Sequence, residues 1–480
     1  FDLNFKTIAE QFTFTRGSEA TFVNEQGLIV STNQIGSELI VNGDFATDTA
    51  WSKSNATISG GLGNLDGVGQ TSMLYQDILT QNKIYSLTFD VINYNGAGNA
   101  NVIDNSGNNI FTIISNGKVT FTFTYTDLDG RLFFRARNGG ILSIDNVSVK
   151  EVIAATNTPR IDYSTGTEAF LLEPQSTNLI AYGEDFNDSY WSRTENTTVS
   201  LSNVLAPNGI DFAYKVSAST ASAALFRVSY NPTNRLTDAR SIYARTVSGT
   251  GQVRLCSFNQ NTNNLFTLTE EWQRFEINSV ISTAANNFYA VDFRNSPLNE
   301  VLIWGAQAEE LPYATSYIPT DGAAATRNQE TCVDATPVIN STEGTLYAEI
   351  SALADSGITR FISISDGSTN NRVYIGFDNI SNTIESSLKN NGSTQFLASH
   401  VVADATNYHK VAVKYRVNDI ALWVDGVEVA VDTNSTMPLG LSSLQFTSGA
   451  SGALFNGNTK GLKYYPEALS DAQLEDLTKI

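Results

Sequence analysis

Tyr85-Ser86-Leu87-Thr88-Phe89-Asp90-Val91 alternates large apolar with polar side chains without a break. Successive side chains on an extended strand point to opposite faces, so this stretch has one face for a core and one for water. The same period recurs at Val119, Phe121, Phe123 and Tyr125, at Val411, Val413, Tyr415 and Val417, and at Ile420, Leu422 and Val424. Between such runs stand Asn95-Gly96, Asp129-Gly130, Asn208-Gly209, Asp366-Gly367 and Asp425-Gly426. Asx-Gly pairs accept the positive φ that tight hairpin turns demand. Many short strands joined by polar turns predict an all-β chain of β-sandwiches or jelly rolls. One short C-terminal helix is expected, with Ser470 as N-cap before Asp471-Ala472-Gln473-Leu474-Glu475-Asp476-Leu477.

The chain has 480 residues, and single cores stop growing at roughly 250–300 residues, so about three domains are expected. Only 16% of residues are charged, against a usual ~25%. Asn, Ser, Thr and Gly fill the difference and favour turns over long helices. A formal net charge of -20 repels phosphates and anionic headgroups, so neither nucleic acid nor a membrane surface is an expected partner. No apolar run is long enough for a membrane-spanning helix, and no membrane insertion is expected. Cys256 and Cys332 lie far apart with no metal-finger spacing, so a disulfide between them is not expected. His400 and His409 are the only histidines, which disfavours His-based zinc sites and Ser-His-Asp triads. The chain begins at Phe1 rather than Met, as expected of a processed or trimmed chain.

An internal repeat sets the domain plan. Leu39-Ile40-Val41-Asn42-Gly43-Asp44-Phe45 is followed by Trp51-Ser52, and Asn178-Leu179-Ile180-Ala181-Tyr182-Gly183-Glu184-Asp185-Phe186 by Trp191-Ser192. Each is followed by a strand-rich stretch, closing at Ile141 to Val149 and at Val301 to Ala308. Two jelly rolls of one type are expected. A third module carries Tyr408 to Tyr415, then Ile420 to Val429 with a turn at Asp425-Gly426, then Tyr464-Tyr465 leading to the terminal helix. The expected domains are residues 37–152, 179–333 and 334–480. The first sits inside a connector that runs over 1–36 and continues at 153–178. Insertion of this kind succeeds at exposed loop tips with close ends.

The third module resembles concanavalin-A-like, laminin-G-type lectin domains in its Tyr408–Tyr415 strand, its Trp423-to-Gly426 turn and its Tyr464-to-Leu477 closure. The two earlier sandwiches resemble jelly-roll carbohydrate-binding modules in Asn42-Gly43-Asp44-Phe45, Trp51 and Asp145-Asn146-Val147-Ser148. That resemblance implies a structural calcium where first and last strands meet, held by Asp44 and Asp145. Gln307 is read as standing at the corresponding acid position of the second copy. Three further stretches resemble tail or fibre proteins of tailed bacteriophages. They are Phe14-Thr15-Arg16-Gly17-Ser18-Glu19-Ala20-Thr21-Phe22-Val23, Pro159 to Tyr163 with Leu171 to Leu179, and Trp304 to Glu309 with Ala314 to Thr320 and Thr326-Arg327.

Aromatic faces stack on sugar C–H surfaces while amides and carboxylates bond hydroxyls. Candidate glycan contacts are Tyr75 and Tyr94 in the first sandwich, Tyr190 in the second, and Tyr374, His409 and Trp423 in the third. Trp423 is out of phase with Ile420, Leu422 and Val424 and so belongs to the opposite sheet face. Trp51 and Trp191, at repeated positions, read as core anchors. Glucanases of the concanavalin-A class carry Glu-x-Asp-x-x-Glu on one strand, and no such run occurs here. No catalytic residue is therefore assigned and no enzyme activity is expected. The resemblances imply a virion fibre or tail adhesin that binds host surface polysaccharide. It would lie on the virion surface, outside cells, beside other virion proteins, as a homo-oligomer and by analogy a trimer. The alternatives are a structural decoration protein without glycan binding and a polysaccharide depolymerase.

Overall fold

A computed structural model describes residues 1–194, 196–219, 225–229, 238–257, 265–280, 288–450 and 452–480. The fold is all-β. Its described strands pair antiparallel, and the terminal helix spans Asp471–Thr478. The backbone N–H of Ser470 donates to Gln473 Oε1 at 2.9 Å and starts that helix. The chain divides into two compact units, Asn33–Ala155 and the remainder, Phe1–Thr32 with Thr156–Ile480.

The unit Asn33–Ala155 is the first sandwich. One sheet runs in the order Asn109–Thr112, Asn99–Ile103, Arg131–Arg137, Ser72–Asp77, Ser52–Ser54. The other runs Gly117–Tyr125, Lys83–Ile92, Ile141–Ile153, Leu62–Asp66, Ala56–Ser59, and Gln34–Glu38 also pairs with Ile141–Ile153. The second sandwich repeats both orders strand for strand. Its sheets run Leu265–Leu268, Gly251–Ser257, Phe288–Asp292, Leu225–Ser229, Ser192–Arg193, and Gln273–Val280, Asp238–Arg245, Glu300–Glu309, Phe212–Ala218, Thr197–Leu205.

The repeated opening does the same work twice. Phe45 and Trp51 lie 5.1 Å apart in one core, and Phe186 and Trp191 lie 5.0 Å apart in the other. Each indole N–H donates at 2.9 Å to a carbonyl nine residues earlier, Asn42 for Trp51 and Tyr182 for Trp191. The glycine that follows each carbonyl residue is required by a close crossing of the last strand. A Cβ at Gly43 would lie 2.0 Å from the Val147 carbonyl, and one at Gly183 2.7 Å from that of Ala306. Val147 N donates to Gly43 O and Ala306 N to Gly183 O, both at 2.9 Å. These bonds make Val147 equivalent to Ala306, and hence Asp145 to Trp304. The residue in Asp145's place is thus Trp304, which corrects the assignment of Gln307 to that position. Gln307 is buried and bonds Glu309 instead.

The third sandwich stacks two sheets. One runs Arg160–Asp162, Ala169–Leu172, Gly457–Tyr465, Glu343–Ala352, His409–Arg416, Ile420–Val424, Val427–Asp432. The other runs Ser393–Val401, Thr383–Asn390, Arg372–Phe377, Arg360–Ser365, Ser443–Gln445. Two findings differ from the expected connector. Its second part supplies the last two strands at one side of this sheet, and Ile8, Phe12 and Phe14 from the N-terminal segment lie in this sandwich's core. Pairing of Ala169–Leu172 with Gly457–Tyr465, about 290 residues away, leaves no local signal in so short a segment.

The stretches that carry the phage-fibre resemblance converge on one buried ion network. Glu330 takes Arg16 at 2.8 Å and Arg160 at 2.6 Å, with all three side chains fully buried. Glu173 takes Arg160 at 2.8 Å and Arg327 at 2.7 Å, and accepts from the Ser316 backbone at 2.7 Å. Burial opposes the Glu173 charge, but Arg327, Arg160 and Ser316 outweigh it and hold the carboxyl at about 2. The network joins connector, second sandwich and third sandwich within one compact unit.

Candidate functional site

Tyr75 leads to a site that its sequence neighbours conceal. On Arg131–Arg137, Leu132, Phe134 and Ala136 are in the core, so Arg131, Phe133, Arg135 and Arg137 lie on the outward face. On Ser72–Asp77, Leu74 is in the core and Met73 and Tyr75 face outward. Tyr75 is paired with Phe133, and the two rings lie 4.6 Å apart. The Arg131 guanidinium stands over the Tyr75 ring at 5.9 Å. The platform continues through polar side chains. Arg135 Nε donates to Asn101 Oδ1 at 3.1 Å, Asn101 Nδ2 to Asn109 Oδ1 at 2.8 Å, and Asn109 Nδ2 to Thr112 Oγ1 at 3.1 Å.

The charge on this face is unbalanced. Among the described residues, no carboxylate lies within ion-pair reach of Arg131, Arg135 or Arg137. Asp77 is opposite Arg131 in register without forming a pair. Arg137 Nε is buried and has no hydrogen-bond partner. Burial, and after it the neighbouring Arg137, lower the pKa of the Arg135 guanidinium. Sequence reading passed over these arginines because the run Leu132-Phe133-Phe134 masks the alternation. The signal that could have found them is the period-two set Arg131, Arg135, Arg137 around Leu132, Phe134 and Ala136.

The remaining candidates are placed differently. Trp423 does point away from Ile420, Leu422 and Val424, but its face is not open to a glycan. It is 7% exposed and packs with Tyr347, Ala412, Leu469 and Leu474, so the C-terminal helix segment covers that face. Tyr374 is 5% exposed. It packs against Phe361 at 4.2 Å, lies under Arg372 at 4.9 Å and donates its hydroxyl to Glu385. His409 uses both ring nitrogens internally, Nδ1 on the Asp425 carboxylate at 2.6 Å and Nε2 on the Asp404 carbonyl at 3.0 Å. Asp425, at φ 51°, makes the turn before Gly426. Tyr190 is half-buried against the second core, with its ring 5.5 Å from Tyr182. Tyr94 is half-buried at the edge of the first core, with its backbone N–H on Asn116 Oδ1 at 2.7 Å. Within the larger unit, Tyr190 belongs to the second sandwich and Tyr374, His409 and Trp423 to the third, where Tyr374 lies on one sheet and His409 and Trp423 on the other. Trp51 and Trp191 are core residues, 6% and 3% exposed.

The calcium candidates lie where first and last segments of the first sandwich meet, beside the Gly43–Val147 bond. Asp145 pairs in register with Asp90, and both carboxylates accept from the Asn146 amide, at 3.3 and 2.8 Å. Asp44 accepts from the Ala46 backbone at 3.3 Å. Among the described residues, no three His, Cys, Asp or Glu side chains are grouped to hold a metal ion.

Residues 324–475 match the concanavalin A-like lectin/glucanases superfamily. No curated protein matches the chain. Among solved structures, the chain is similar to the N-terminal CBM22-1–CBM22-2 tandem domain of Paenibacillus barcinonensis Xyn10C. That match has 14% identity and a TM-score of 0.21, and covers 58% of this chain and 99% of the other. It is similar to the Ruminococcus gnavus IT-sialidase CBM40 bound to α2,3-sialyllactose, at 17% identity and TM-score 0.26, over 29% of this chain and 84% of that one. It is also similar to domains LG4-5 of the mouse laminin α1 chain, at 12% identity and TM-score 0.22, over 51% of this chain and 88% of that one.

Proposed function

We propose that this protein is a non-enzymatic glycan-binding adhesin, carried on the surface of a tailed-phage virion as a fibre or tail component and directed at host surface polysaccharide. The observation that carries the glycan reading is the half-exposed Tyr75 ring, backed at 4.6 Å by Phe133, which is 8% exposed, beside a row of amide and hydroxyl side chains. Sugar rings offer C–H faces to the first and hydroxyls to the second. The lectin-superfamily match over 324–475 supports carbohydrate recognition in general terms. The phage setting is supported by the fibre-like stretches, whose Arg16, Arg160, Glu173 and Arg327 belong to one buried network. Several weak sites on one particle would act together, which favours an oligomeric display such as a trimer beside other virion proteins. A calcium at Asp44 and Asp145 stays part of the proposal, tested by whether a chelator lowers the melting temperature of the first sandwich. The principal test is binding of the full chain to a panel of bacterial cells and their purified polysaccharides. Expected is saturable binding to some members, weakened about tenfold by Tyr75→Ala, with no release of reducing ends. Absence of binding across the panel favours a purely structural virion role, and reducing-end release favours a depolymerase.

A further inference from the structure

Building on the adhesin reading, we infer that the first sandwich selects acidic glycans, with Arg135 and Arg137 holding a sugar carboxylate or sulfate while Tyr75, backed by the buried Phe133, carries a ring. Three observations converge. The chain has a net charge of -20, yet this one sheet face gathers Arg131, Arg135 and Arg137 from a single strand. Among the described residues, none of the three has an ion-pair partner. The side chains of Arg135 and Arg137 are both partly exposed, and each charge disfavours the other. An anionic oxygen is the acceptor that two unpaired, like-charged guanidinium groups both favour. Guanidinium groups bond carboxylate and sulfate oxygens in a planar, often bidentate manner that neutral hydroxyls match less well.

The geometry orders the ligand along the strand. Arg135 and Arg137 are two residues apart on one face, roughly 6–7 Å along the chain, which is the span of about one sugar ring. Arg131 stands over the Tyr75 ring at the other end, next to Asp77 in register. The acidic group is therefore received at the Arg137 end, and the neutral part of the ligand lies toward Tyr75. Arg135 is already oriented by Asn101 at 3.1 Å, which lowers the ordering cost of binding.

The test is an array of acidic and neutral glycans, the acidic set covering uronic acids, sialic acids and sulfated sugars, probed with the full chain. The expected ligands are acidic. Carboxyl-reduced or desulfated forms of those ligands are expected to bind the unaltered protein at least tenfold more weakly, an outcome that needs no variant to fold. The double variant Arg135→Gln/Arg137→Gln is expected to lose at least tenfold toward acidic ligands, and Arg135→Lys/Arg137→Lys to keep the preference for acid over neutral. Near-UV circular dichroism checks that each variant is folded. Neutral ligands bound best, or acidic binding unchanged in the glutamine variant, overturns the acidic selectivity and leaves the adhesin reading standing. No ligand at all on the array and the cell panel overturns both.

Discussion

Arg294 of the second sandwich is neutralised by Asp292 at 2.7 Å, and Arg254 beside it donates to the Arg294 and Asn295 carbonyls at 2.8 and 2.9 Å. Arg135 and Arg137, on the corresponding sheet of the first sandwich, have no such carboxylate among the described residues. The interiors show the opposite relation. Both have the same strand order, the same Phe–Trp stack and the same indole-to-carbonyl bond at 2.9 Å. Where the first face presents Tyr75 on Phe133, the second presents the apolar patch Leu225, Phe288 and Ala290 with Arg227 over the Phe288 ring at 5.1 Å. Packing constrains the inward half of each strand, because a volume change there costs several kcal/mol, roughly 2–5 for a large-to-small change. The outward half is free to change charge, and that is where the two copies part.

The largest break between the two comes from the ion network, which serves only the larger unit. Glu330→Gln leaves Arg16 and Arg160 buried without their shared countercharge, a loss of about 3–5 kcal/mol. Calorimetry on the full chain is expected to move the transition of the larger unit down and leave that of Asn33–Ala155 in place. Equal displacement of both transitions would contradict the independence of the two units. Acid makes the same distinction more gently. The Glu173 carboxyl sits at about 2, below its ordinary 4.5, so it contributes stability above about pH 4.5 that is lost as pH falls toward 2. That amounts to roughly 3 kcal/mol by linkage, confined to the larger unit. A pH series of melts in which Glu173→Gln abolishes that acid slope is the expected result.

The shared interior predicts equal costs. Trp51→Phe and Trp191→Phe each remove one indole N–H and leave a carbonyl, Asn42 or Tyr182, without that donor. About 1–3 kcal/mol is expected for each, with the two values close to one another, read by urea denaturation of the corresponding transition. Unequal losses would show that one opening segment is held by more than the repeat.

Period two made the strands legible, and the internal repeat made the two related jelly rolls and the core role of Trp51 and Trp191 legible. It also gave Trp423 its correct face, since phase is a local property. What covers that face is not local. Leu474, which packs with Trp423, lies about fifty residues later in a short helix whose docking place the sequence does not encode in any pattern. The same reason hid Ala169–Leu172, whose partner Gly457–Tyr465 lies across the chain and which carries Arg160–Asp162 at the sheet edge. Tyr75 was legible as an aromatic beside polar residues. Its arginine neighbours were not, because Phe133 sits outward between two inward residues and makes the strand read as a continuous apolar run.

The smallest expected effect is the most direct on function, because it compares the two faces through one atom set each. Tyr75→Ala removes a ring that packs on Phe133 and under Arg131 but lies outside the core, so the fold should lose little. Phe288→Ala removes a ring 5% exposed that packs with Leu225 and Ala290. The first change is expected to weaken glycan binding about tenfold, worth ~1.4 kcal/mol, with a melting shift of no more than a degree or two. The second is expected to lower the melting temperature of the larger unit and leave glycan affinity within about twofold. Isothermal titration with a glycan from the array, beside thermal melts of both variants, reads the two effects separately. If Phe288→Ala weakens binding as much as Tyr75→Ala, both sandwiches bind through this sheet and the division between a binding face and a packing face fails. Loss confined to Tyr75→Ala locates recognition on the face whose arginines are left unpaired.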